Sequence, residues 1–500
     1  MIPTPEQRAI LDAARSDASL MISAYAGTGK TTTLVMLAQE LRAQLALALA
    51  FNVKIKKELE RRFPQNFTVK TLNGLGHSAW TPIVGRVELD DRKIGKILTE
   101  LLRKHPGAPD DWWSSAKQLV AAAQAQGLTP SAFTQVRGLV TDSDANWAEI
   151  ASQLYIEPEA PLLALAREAL TQSCKLAIGA SGRATISYDD QLYMPTFFGG
   201  RFTKYPVVMI DEAQDLSPLQ HEMVRRSAAG RLIVVGDPRQ AIYAFRGADS
   251  DSIRKLRALR EAWIDLKLSV TFRCPRSIVA RQQDHAPGYT AAEHNVDGEI
   301  VEFEEWTAGN ITLHDNVAVL CRNNGPLISL AMKLLRQRIP VVMLGRDIGK
   351  NLEALAKKIA PDDSTPREAV ARSVQAWRER ESEAARALEH ESKLAGIEDR
   401  AACLLAVLEF AETAGALRAE LRDLFARDTG KITLSSIHRA KGLEWETVMH
   451  LDPWRIPSRF ARKAASRGDR AQLEQEFNLK YVAETRAKHT LLLANLEDFS

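Results

Sequence analysis

Five consecutive residues near the start of the chain have the types and order that bind a phosphate group. Gly27-Thr28-Gly29-Lys30-Thr31 follows a short apolar run and precedes TTLVMLAQELRAQ, which predicts a strand, a glycine-rich loop and a helix in succession. Glycines let backbone N–H groups approach phosphate oxygens, and the start of a helix adds positive potential. We expect Lys30 to reach the β- and γ-phosphates of ATP and the Thr31 hydroxyl to ligate Mg²⁺. A tight turn that binds no phosphate is the alternative.

Two later apolar runs end in polar residues suited to hydrolysis. VVMI is followed by Asp211 and Glu212, and LIVVG is followed by DPRQ, which ends in Gln240. Because the carboxyl ends of parallel strands meet at one edge of a sheet, these side chains are expected beside the phosphate loop. Asp211 is predicted to bind the metal, Glu212 to position and deprotonate the attacking water, and Gln240 to lie near the γ-phosphate.

A parallel sheet must bring these residues together, and the order of segments predicts one. Strand-like runs alternate with helical runs up to TVKTLN and return at YPVVMIDEAQD and RLIVVGDPRQ. LKLSVTFR, GEIVEFEEW and VAVLCRN predict a second sheet, which KITLSSIH, ETVMHLD and HTLLLANL continue. Residues 90–181 and 351–427 have helical periodicity. The predicted fold is α/β, with two cores that each carry a mainly helical insertion.

The composition excludes several classes of protein. The chain has 500 residues, a formal charge of +3, 45% apolar residues and 26% charged residues, which excludes a disordered or fibrous protein. The near-neutral balance excludes binding of nucleic acid through bulk charge alone. Four scattered cysteines without a C-x-x-C pair predict reduced thiols. The longest apolar run, 45–51, is far shorter than the about 20 residues that span a bilayer, so no membrane association is expected.

Segments from Gln7 to Lys488 resemble, in order, the motifs of superfamily-one DNA helicases of the UvrD/PcrA/Rep type. They are PTPEQRAIL, AYAGTGKTTTL, DEAQD, GDPRQAIYAFRGA, LSVTFRCPRSI, ITLSSIHRAKGLEWETV and NLKYVAETRAKHTLLLA. The family's own loop begins with alanine, which accounts for Ala24. AFNVKIKKELERRFP, VKTLNGLGH and GRDIGKNL further resemble the eukaryotic F-box DNA helicase and its bacterial and phage relatives.

The resemblance assigns nucleotide contacts along the whole chain. It implies that Gln7 contacts the adenine edge, that Phe272 replaces the tyrosine that stacks on adenine, and that Glu444 binds the ribose. Arg273 and Arg486 are implied to contact the γ-phosphate. The complete set of implied nucleotide-binding residues is Gln7, Ala26, Gly27, Thr28, Gly29, Lys30, Thr31, Thr32, Phe272, Arg273, Glu444 and Arg486.

DNA contacts are expected to combine base stacking with phosphate neutralisation. The candidate residues are Phe51, Asn52, Thr71, Tyr243, Phe245, Arg246 and His438. Core packing remains an alternative for the two aromatic residues of AIYAFRGA. Val53 and Asn73 depart from the family's usual lysine and histidine, so contacts there are open. A basic stretch from Arg455 to Arg470 is expected either to bind DNA or to form a solvated loop. The Trp112-Trp113 pair is expected either to stack on bases or to pack in a core.

The resemblance also implies an organisation into RecA-like P-loop NTPase domains. We expect residues 1–88 and 201–265 to form the ATP-binding domain and 89–200 its helical insertion. Residues 266–345 and 430–500 are expected to form the second RecA-like domain, with 346–429 as a short helical insertion.

The implied function is ATP-dependent, 3′-to-5′ movement on single-stranded DNA coupled to duplex unwinding in replication, repair or recombination. The expected partners are single-stranded DNA, single-strand/duplex junctions and repair or recombination proteins. A monomer in the cytoplasm, associated with the nucleoid of a bacterium or of a phage-infected cell, is expected. Two alternatives stay open: a translocase that strips proteins from DNA with little unwinding, and a DNA-stimulated ATPase that acts as a sensor or scaffold. A P-loop enzyme acting on small molecules is disfavoured, because no feature of the sequence suggests a pocket for a small substrate.

Overall fold

Two compact units make up the computed structural model of this chain. The structure describes residues 2–41, 45–109, 112–154, 156–180, 182–242, 252–314, 316–387, 391–468 and 470–500. The first unit runs to Ala24 and continues over Gly29–Leu268, whereas Tyr25–Thr28 groups with Ser269–Ser500 in the second unit. The predicted α/β class with parallel sheets in two domains is confirmed.

The strands of the first unit lie in one larger sheet and one short pair. They are β1 (Ser19–Ala24), β2 (Ala46–Ala50), β3 (Phe67–Thr71), β4 (Glu88–Leu89), β5 (Thr185–Ile186), β6 (Tyr205–Ile210), β7 (Ala228–Gly236) and β8 (Trp263–Leu268). The larger sheet has the order β3-β2-β6-β7-β1-β8, and every pairing in it is parallel. Every residue of β2 is buried, as expected for a parallel strand covered by helices on both faces.

Helices of the first unit cover this sheet and also form a separate core. They are α1 (Pro5–Ala13), α2 (Lys30–Glu40), α3 (Val53–Arg62), α4 (Leu72–Val84), α5 (Lys93–Leu102), α6 (Trp112–Gln126), α7 (Asp144–Gln153), α8 (Ala160–Ala177), α9 (Tyr188–Phe197), α10 (Pro218–Ser227) and α11 (Ser252–Arg257). A core of buried residues joins Trp80, Trp112 and Trp147 from α4, α6 and α7. Trp112 therefore packs in a core, which is the alternative to base stacking named for this residue in the sequence analysis.

The second unit contains a second parallel sheet. Its strands are β9 (Val270–Thr271), β10 (Thr290–Ala291), β11 (Glu299–Glu302), β12 (Val317–Cys321), β13 (Val341–Met343), β14 (Ile432–Ser436), β15 (Trp445–Leu451) and β16 (Ala487–Ala494). The order of the larger sheet is β11-β16-β15-β12-β14-β13, whereas β9 and β10 pair separately. Val317 of the central strand β12 pairs with Ile432 on one side and Thr447 on the other.

The helices of the second unit include a long all-helical stretch. They are α12 (Arg276–Arg281), α13 (Ala308–Thr312), α14 (Asn324–Arg336), α15 (Arg346–Ile359), α16 (Arg367–Ala387), α17 (Glu391–Leu408), α18 (Ala414–Ala426), α19 (Ile437–Ala440), α20 (Arg459–Ser466) and α21 (Ala471–Glu484). The predicted helical character of 351–427 is confirmed by α15 to α18.

One strand prediction was wrong. LKLSVTFR was expected to begin the second sheet, but its first residues complete β8, which pairs with β1 at the edge of the first sheet. Ser19 pairs with Trp263 and Ala24 with Leu268. The alternating burial of β8 fits an edge strand. Its continuation, β9, pairs with β10 instead. An apolar run in the sequence predicts a strand but does not indicate which sheet that strand joins.

No helix in the described part of the chain is long and apolar enough to cross a membrane.

Candidate nucleotide and nucleic-acid sites

A left-handed glycine starts the helix that the phosphate loop precedes. Strand β1 ends at Ala24, and Gly29 caps α2 with φ +77°, a conformation that favours glycine. Because Gly29 has no side chain, nothing from this residue covers the N–H groups of the first helical turn. Lys30 begins α2, with Thr31 and Thr32 half-buried beside it. The segment therefore presents backbone donors, an amine and hydroxyl groups at the carboxyl end of β1.

Three carboxylates from two neighbouring strands surround Lys30. Asp211 and Glu212 follow β6, Asp237 follows β7, and these strands pair side by side. The Lys30 Nζ lies 2.9 Å from Glu212 Oε1. Burial alone would lower the pKa of Lys30, but Glu212, Asp211 and Asp237 outweigh it and raise this pKa above its ordinary value. The structure thus brings together Lys30, Asp211 and Glu212, as their motifs predicted.

Glu212 is held in a strained backbone conformation. Its φ of +52° lies in the left-handed region, which costs a residue with a side chain roughly 1–3 kcal/mol. Its N–H donates to Asp211 Oδ1 at 2.9 Å, and Gln214 Nε2 donates to its Oε2 at 2.5 Å. Gln214 Oε1 also accepts the N–H of Asp237 at 3.0 Å. Gln214 therefore links the ends of β6 and β7, a role that our sequence analysis missed.

Gln240 lies in the same group of polar residues. Its Nε2 donates to Asp237 Oδ2 at 2.7 Å, and Asp237 is completely buried. Burial raises the pKa of Asp237 above its ordinary value, although Lys30 and the hydrogen bond from Gln240 oppose that rise. The position of Asp237 near Lys30 could have been predicted from GDPRQ, because this acid follows a predicted strand just as Asp211 does. Contact of Gln240 with a γ-phosphate stays a prediction.

Gln7 is fixed at the start of α1 and contacts α2. Its Oε1 accepts the N–H of Thr4 at 3.0 Å in a capping box, and its Nε2 donates to Thr33 Oγ1 at 3.1 Å. The Thr33 hydroxyl donates in turn to the carbonyl oxygen of Gly29 at 3.0 Å. This chain of hydrogen bonds connects Gln7 to the residue that starts the phosphate-loop helix. Contact of Gln7 with adenine stays a prediction.

The segment Tyr25–Thr28 is held by hydrogen bonds inside the second unit. Tyr289 donates its hydroxyl to the carbonyl oxygen of Ala26 at 2.7 Å, and the N–H of Ala26 donates to the Tyr481 hydroxyl at 2.9 Å. The N–H of Phe272 donates to the Gly27 carbonyl oxygen at 2.9 Å. Thr28 is buried and donates its hydroxyl to the carbonyl oxygen of Tyr25 at 2.8 Å. Neither tyrosine was singled out by the sequence analysis.

Gly27 must be glycine for two reasons. Its φ is +70°, and an added Cβ would lie 2.5 Å from Thr271 Oγ1 and 2.6 Å from Arg273 Cβ. A side chain there would therefore collide with the turn that carries Arg273. The close approach sets the backbone of Arg273 directly against Gly27.

Arg273 forms an ion pair with Glu444. Its Nε lies 2.6 Å from Glu444 Oε2, and Lys488 Nζ lies 2.9 Å from Glu444 Oε1. Burial alone would raise the pKa of Glu444, but Arg273 and Lys488 lower it below its ordinary value. The structure thus unites two residues that the resemblance assigned separately, one to phosphate and one to ribose.

Arg486 is 1% exposed and lies close enough to Arg273 for the two positive charges to repel each other. Its Nε donates to the carbonyl oxygen of Val482 at 3.0 Å, and one terminal nitrogen donates to that of Leu443 at 3.4 Å. Burial lowers the pKa of Arg486 to about 10, and the positive charge of Arg273 acts in the same direction. The second unit therefore brings the two predicted γ-phosphate arginines near each other.

Phe272 presents an exposed aromatic ring next to Arg273. It is 42% exposed, and its ring stacks on that of His294 with centroids 6.0 Å apart and planes inclined by 22°. An exposed ring backed by a second ring suits stacking against a flat base. Contact with adenine stays a prediction.

The predicted DNA contacts in the first unit lie at the ends of β2 and β3. Phe51 is 49% exposed, directly after β2. Asn52 Oδ1 accepts the N–H of Ile55 at 2.9 Å, and Thr71 Oγ1 accepts that of Gly74 at 3.1 Å. Asn52 and Thr71 therefore each cap the start of a helix, a structural role that the sequence did not predict. Asn73 donates its side-chain amide to the carbonyl oxygen of Tyr188 at 2.8 Å.

The remaining DNA candidates have less structural support. Tyr243, Phe245 and Arg246 lie outside the described residues. His438 is half-buried in α19.

In the basic stretch, three arginines make contacts within the second unit. Arg455 pairs with Asp452 at 2.7 Å, Arg459 with Glu398 at 2.6 Å, and Arg462 donates to the carbonyl oxygen of Pro457 at 3.0 Å. These contacts favour a structural role for that part of the stretch.

The residues present fit ATP and Mg²⁺. Gly29 leaves the start of α2 uncovered, and Lys30 is an amine already surrounded by negative charge, as a triphosphate also provides. The Thr31 hydroxyl and the Asp211 carboxylate are oxygen ligands of the kind Mg²⁺ prefers. Within the described residues, no group of three or more His, Cys, Asp or Glu side chains is arranged to hold a metal ion by itself.

Comparison with known families identifies the family to which the chain belongs. Residues 89–259 match the model of the UvrD/REP helicase N-terminal domain, and residues 350–498 match that of the UvrD-like helicase C-terminal domain. Together the two matches cover more than half of the chain. This chain is therefore a member of the family of UvrD/Rep-type, superfamily-one helicases.

Individual relatives cover the chain to different extents. F-box DNA helicase protein 1 of Schizosaccharomyces pombe is 26% identical over 98% of this chain and 57% of the relative. F-box DNA helicase 1 of Gallus gallus is 25% identical over 98% of this chain and 49% of the relative. The RecB subunit of the RecBCD enzyme from Mycolicibacterium smegmatis is 32% identical over 39% of this chain and 18% of the relative. The chain spans about half the length of the two F-box relatives.

Proposed function

We propose that this chain is an ATP-dependent DNA helicase that moves along single-stranded DNA. The observation that carries the proposal is the group formed by Lys30, Asp211, Glu212 and Asp237 at the carboxyl ends of adjacent parallel strands, in a chain of the UvrD/Rep family. An amine for phosphate, a carboxylate for a metal and a carboxylate for water are the groups that triphosphate hydrolysis requires.

Each polar residue of the first unit's site has a separate role in ATP hydrolysis. Lys30 binds the β- and γ-phosphates and must leave Glu212 to do so. Glu212, once released, positions a water molecule and accepts its proton. Asp211 and Thr31 would hold Mg²⁺, which when bound neutralises charge on the phosphate oxygens. Gln214 and Gln240 keep the ends of β6 and β7 in place through their amide hydrogen bonds.

The second unit supplies positive charge and base contacts. Arg273 and Arg486 contact the γ-phosphate and stabilise the transition state, as an arginine finger does in other NTPases. Phe272 stacks on adenine, Glu444 accepts a hydrogen bond from the ribose, and Gln7 of the first unit reads the adenine edge. The presence of the γ-phosphate then determines whether these groups are engaged, which ties hydrolysis to movement along DNA.

The finer features of the function rest on family membership. Movement is 3′ to 5′, and the substrates are single-stranded DNA and its junctions with duplex. The chain acts as a monomer, associated with bacterial DNA or with DNA in a phage-infected cell. Relatives named RecBCD subunit RecB and F-box DNA helicase support a task in repair or recombination. The domain bounds proposed are 1–88 with 201–265, 89–200, 266–345 with 430–500, and 346–429, except that residues 266–268 complete β8 of the first sheet.

One experiment tests the proposal. ATP hydrolysis is measured with and without single-stranded DNA, and unwinding is measured on duplexes with a 3′ or a 5′ tail. We expect DNA to stimulate hydrolysis and only the 3′-tailed duplex to separate. Stimulated hydrolysis with displacement of a bound protein but intact duplexes would indicate a stripping translocase. Stimulated hydrolysis without directional movement would indicate a sensor, and hydrolysis indifferent to DNA would contradict the proposal.

A further inference from the structure

The ion pair between Arg273 and Glu444 brings together two separate turns of the second unit. Arg273 follows β9, and Glu444 directly precedes β15. Lys488, the second residue of β16, contacts the other oxygen of the same carboxylate. Strands β15 and β16 pair in parallel from Trp445 and Ala487 onward, so Glu444 and Lys488 lie at the same edge of the sheet.

The backbone that carries Arg273 is fixed independently of Glu444. Thr271 Oγ1 accepts the N–H groups of both Arg273 and Cys274 at 3.2 Å. Asn295 Nδ2 donates to the carbonyl oxygens of Thr271 at 2.9 Å and Cys274 at 2.8 Å. These bonds set where the side chain of Arg273 starts. They leave its direction to the contacts of the guanidinium.

Glu444 meets the guanidinium at the position that suits an orienting role. The close contact is an ion pair at Nε, at 2.6 Å, rather than a hydrogen bond, whereas the guanidinium has two further NH₂ groups that suit phosphate oxygens. An arginine held at Nε loses less conformational entropy when its terminal groups bind a ligand, because its long side chain is already ordered. The pair is also half-shielded, since Arg273 is 21% and Glu444 39% exposed, so the attraction is only partly screened.

Glu446 is a nearby carboxylate with which Glu444 can be compared. Glu446 lies two residues further along, on β15, at 3.9 Å from Lys488 Nζ, and is 50% exposed. Its described ion pair is this longer contact to Lys488, whereas Glu444 contacts both Lys488 and Arg273. Glu446 therefore shares the charge and one partner of Glu444 without the contact to the arginine.

We propose that Glu444 is a positioning residue for Arg273, whose guanidinium it orders for binding the γ-phosphate through the contact at Nε. This inference rests on the proposed function and deepens it. Glu444 thus acts on the rate of hydrolysis through the arginine, in addition to the ribose contact that family resemblance assigns to it. A carboxylate is required for the first role, whereas any hydrogen-bond acceptor suffices for the second.

The Glu444→Gln variant separates the two roles. Glutamine keeps an oxygen that accepts a hydrogen bond from ribose but loses the charge that holds Arg273. We expect kcat for DNA-stimulated ATP hydrolysis to fall about 10- to 100-fold, part of the 10³–10⁵ that an arginine finger is worth, while KM for ATP stays within about 3-fold. Glu446→Gln, the matched control, is expected to leave both constants unchanged.

A double-mutant cycle shows whether the effect passes through the arginine. We expect Glu444→Gln to cause no further loss of kcat in an Arg273→Ala background, because the group that it orients is gone. An equal loss of kcat in both backgrounds would overturn the inference, as would a raised KM with unchanged kcat. If the wild-type chain hydrolyses no ATP with DNA present, the proposed function itself fails. An active wild type with an indifferent Glu444→Gln variant rejects this inference alone.

Discussion

Lys30 and Glu212 form an ion pair in which Nζ and Oε1 are 2.9 Å apart and both side chains are largely buried. The family resemblance and the position after β6 give these two residues different tasks, one with phosphate and one with water. A bound triphosphate would compete with Glu212 for the amine. The pair therefore keeps both groups occupied until a nucleotide separates them.

Replacement of Lys30 by alanine should abolish ATP hydrolysis, because no other group at the start of α2 supplies a side-chain positive charge to the phosphates. We expect a fall in kcat/KM of more than about 100-fold, measured as phosphate release with single-stranded DNA present. The exposed Lys357 on α15 offers a control, and Lys357→Ala should retain full activity. Near-normal turnover by the Lys30→Ala enzyme would remove the proposed site.

Arg486→Lys should separate nucleotide binding from hydrolysis. Lysine keeps the charge of this buried position but lacks the fork of donors that Arg486 can offer to phosphate. We expect kcat to drop about 10³-fold, at the lower end of the effect of an arginine finger, with nucleotide affinity within about 3-fold. Binding of a fluorescent ATP analogue and steady-state hydrolysis measure the two effects. Weakened binding with intact hydrolysis would show that the assigned role is wrong.

Phe51→Ala should weaken binding of single-stranded DNA. Loss of one base-stacking contact corresponds to about 10-fold in affinity, while hydrolysis in the absence of DNA should stay unchanged. Fluorescence anisotropy of a labelled oligonucleotide gives the affinity. Leu89, an apolar side chain of similar exposure in β4, provides the control, since Leu89→Ala should bind DNA normally. Equal affinity of the wild type and the Phe51→Ala variant would return Phe51 to a structural role.

Glu484→Gln should reduce stability in a manner that depends on pH. Glu484 is buried, and its carboxylate accepts hydrogen bonds from Arg281 at 3.1 Å and Gln282 at 2.5 Å. Burial alone would raise its pKa, but His450 and Arg281 outweigh burial and lower it below the ordinary value of 4.5. Its contribution to stability is therefore present above pH 4.5 and is lost as the pH falls through the lowered pKa.

We expect Glu484→Gln to lose about 3 kcal/mol of unfolding free energy at pH 7, measured by urea denaturation. The difference from the wild type should shrink once the pH falls below 4.5. Exposed Glu446 again serves as the control, with a change of about 0.5 kcal/mol or less. A difference that grows toward low pH would contradict the assignment.

Local patterns in the sequence determined the fold class and the main groups of the first site. Lys30 was predictable because a glycine-rich turn between strand and helix has one well-known geometry, and Asp211 and Glu212 because they follow an apolar strand. The rule that parallel strands end at one edge then placed them together. The same rule applied to Asp237, whose role the sequence analysis did not draw out.

Tertiary packing decided what local patterns leave open. Edge strand β8 joined the first sheet although its sequence suggested the second, because strand pairing depends on partners distant in the chain. Gln214 linked two strand ends, and Tyr289 and Tyr481 fixed the Ala26 peptide, through side-chain hydrogen bonds that have no periodic signature. The contact between Arg273 and Glu444 is of the same kind. Residue types and local spacing therefore specify which chemistry is present, whereas long-range packing alone specifies which groups meet and how each is oriented.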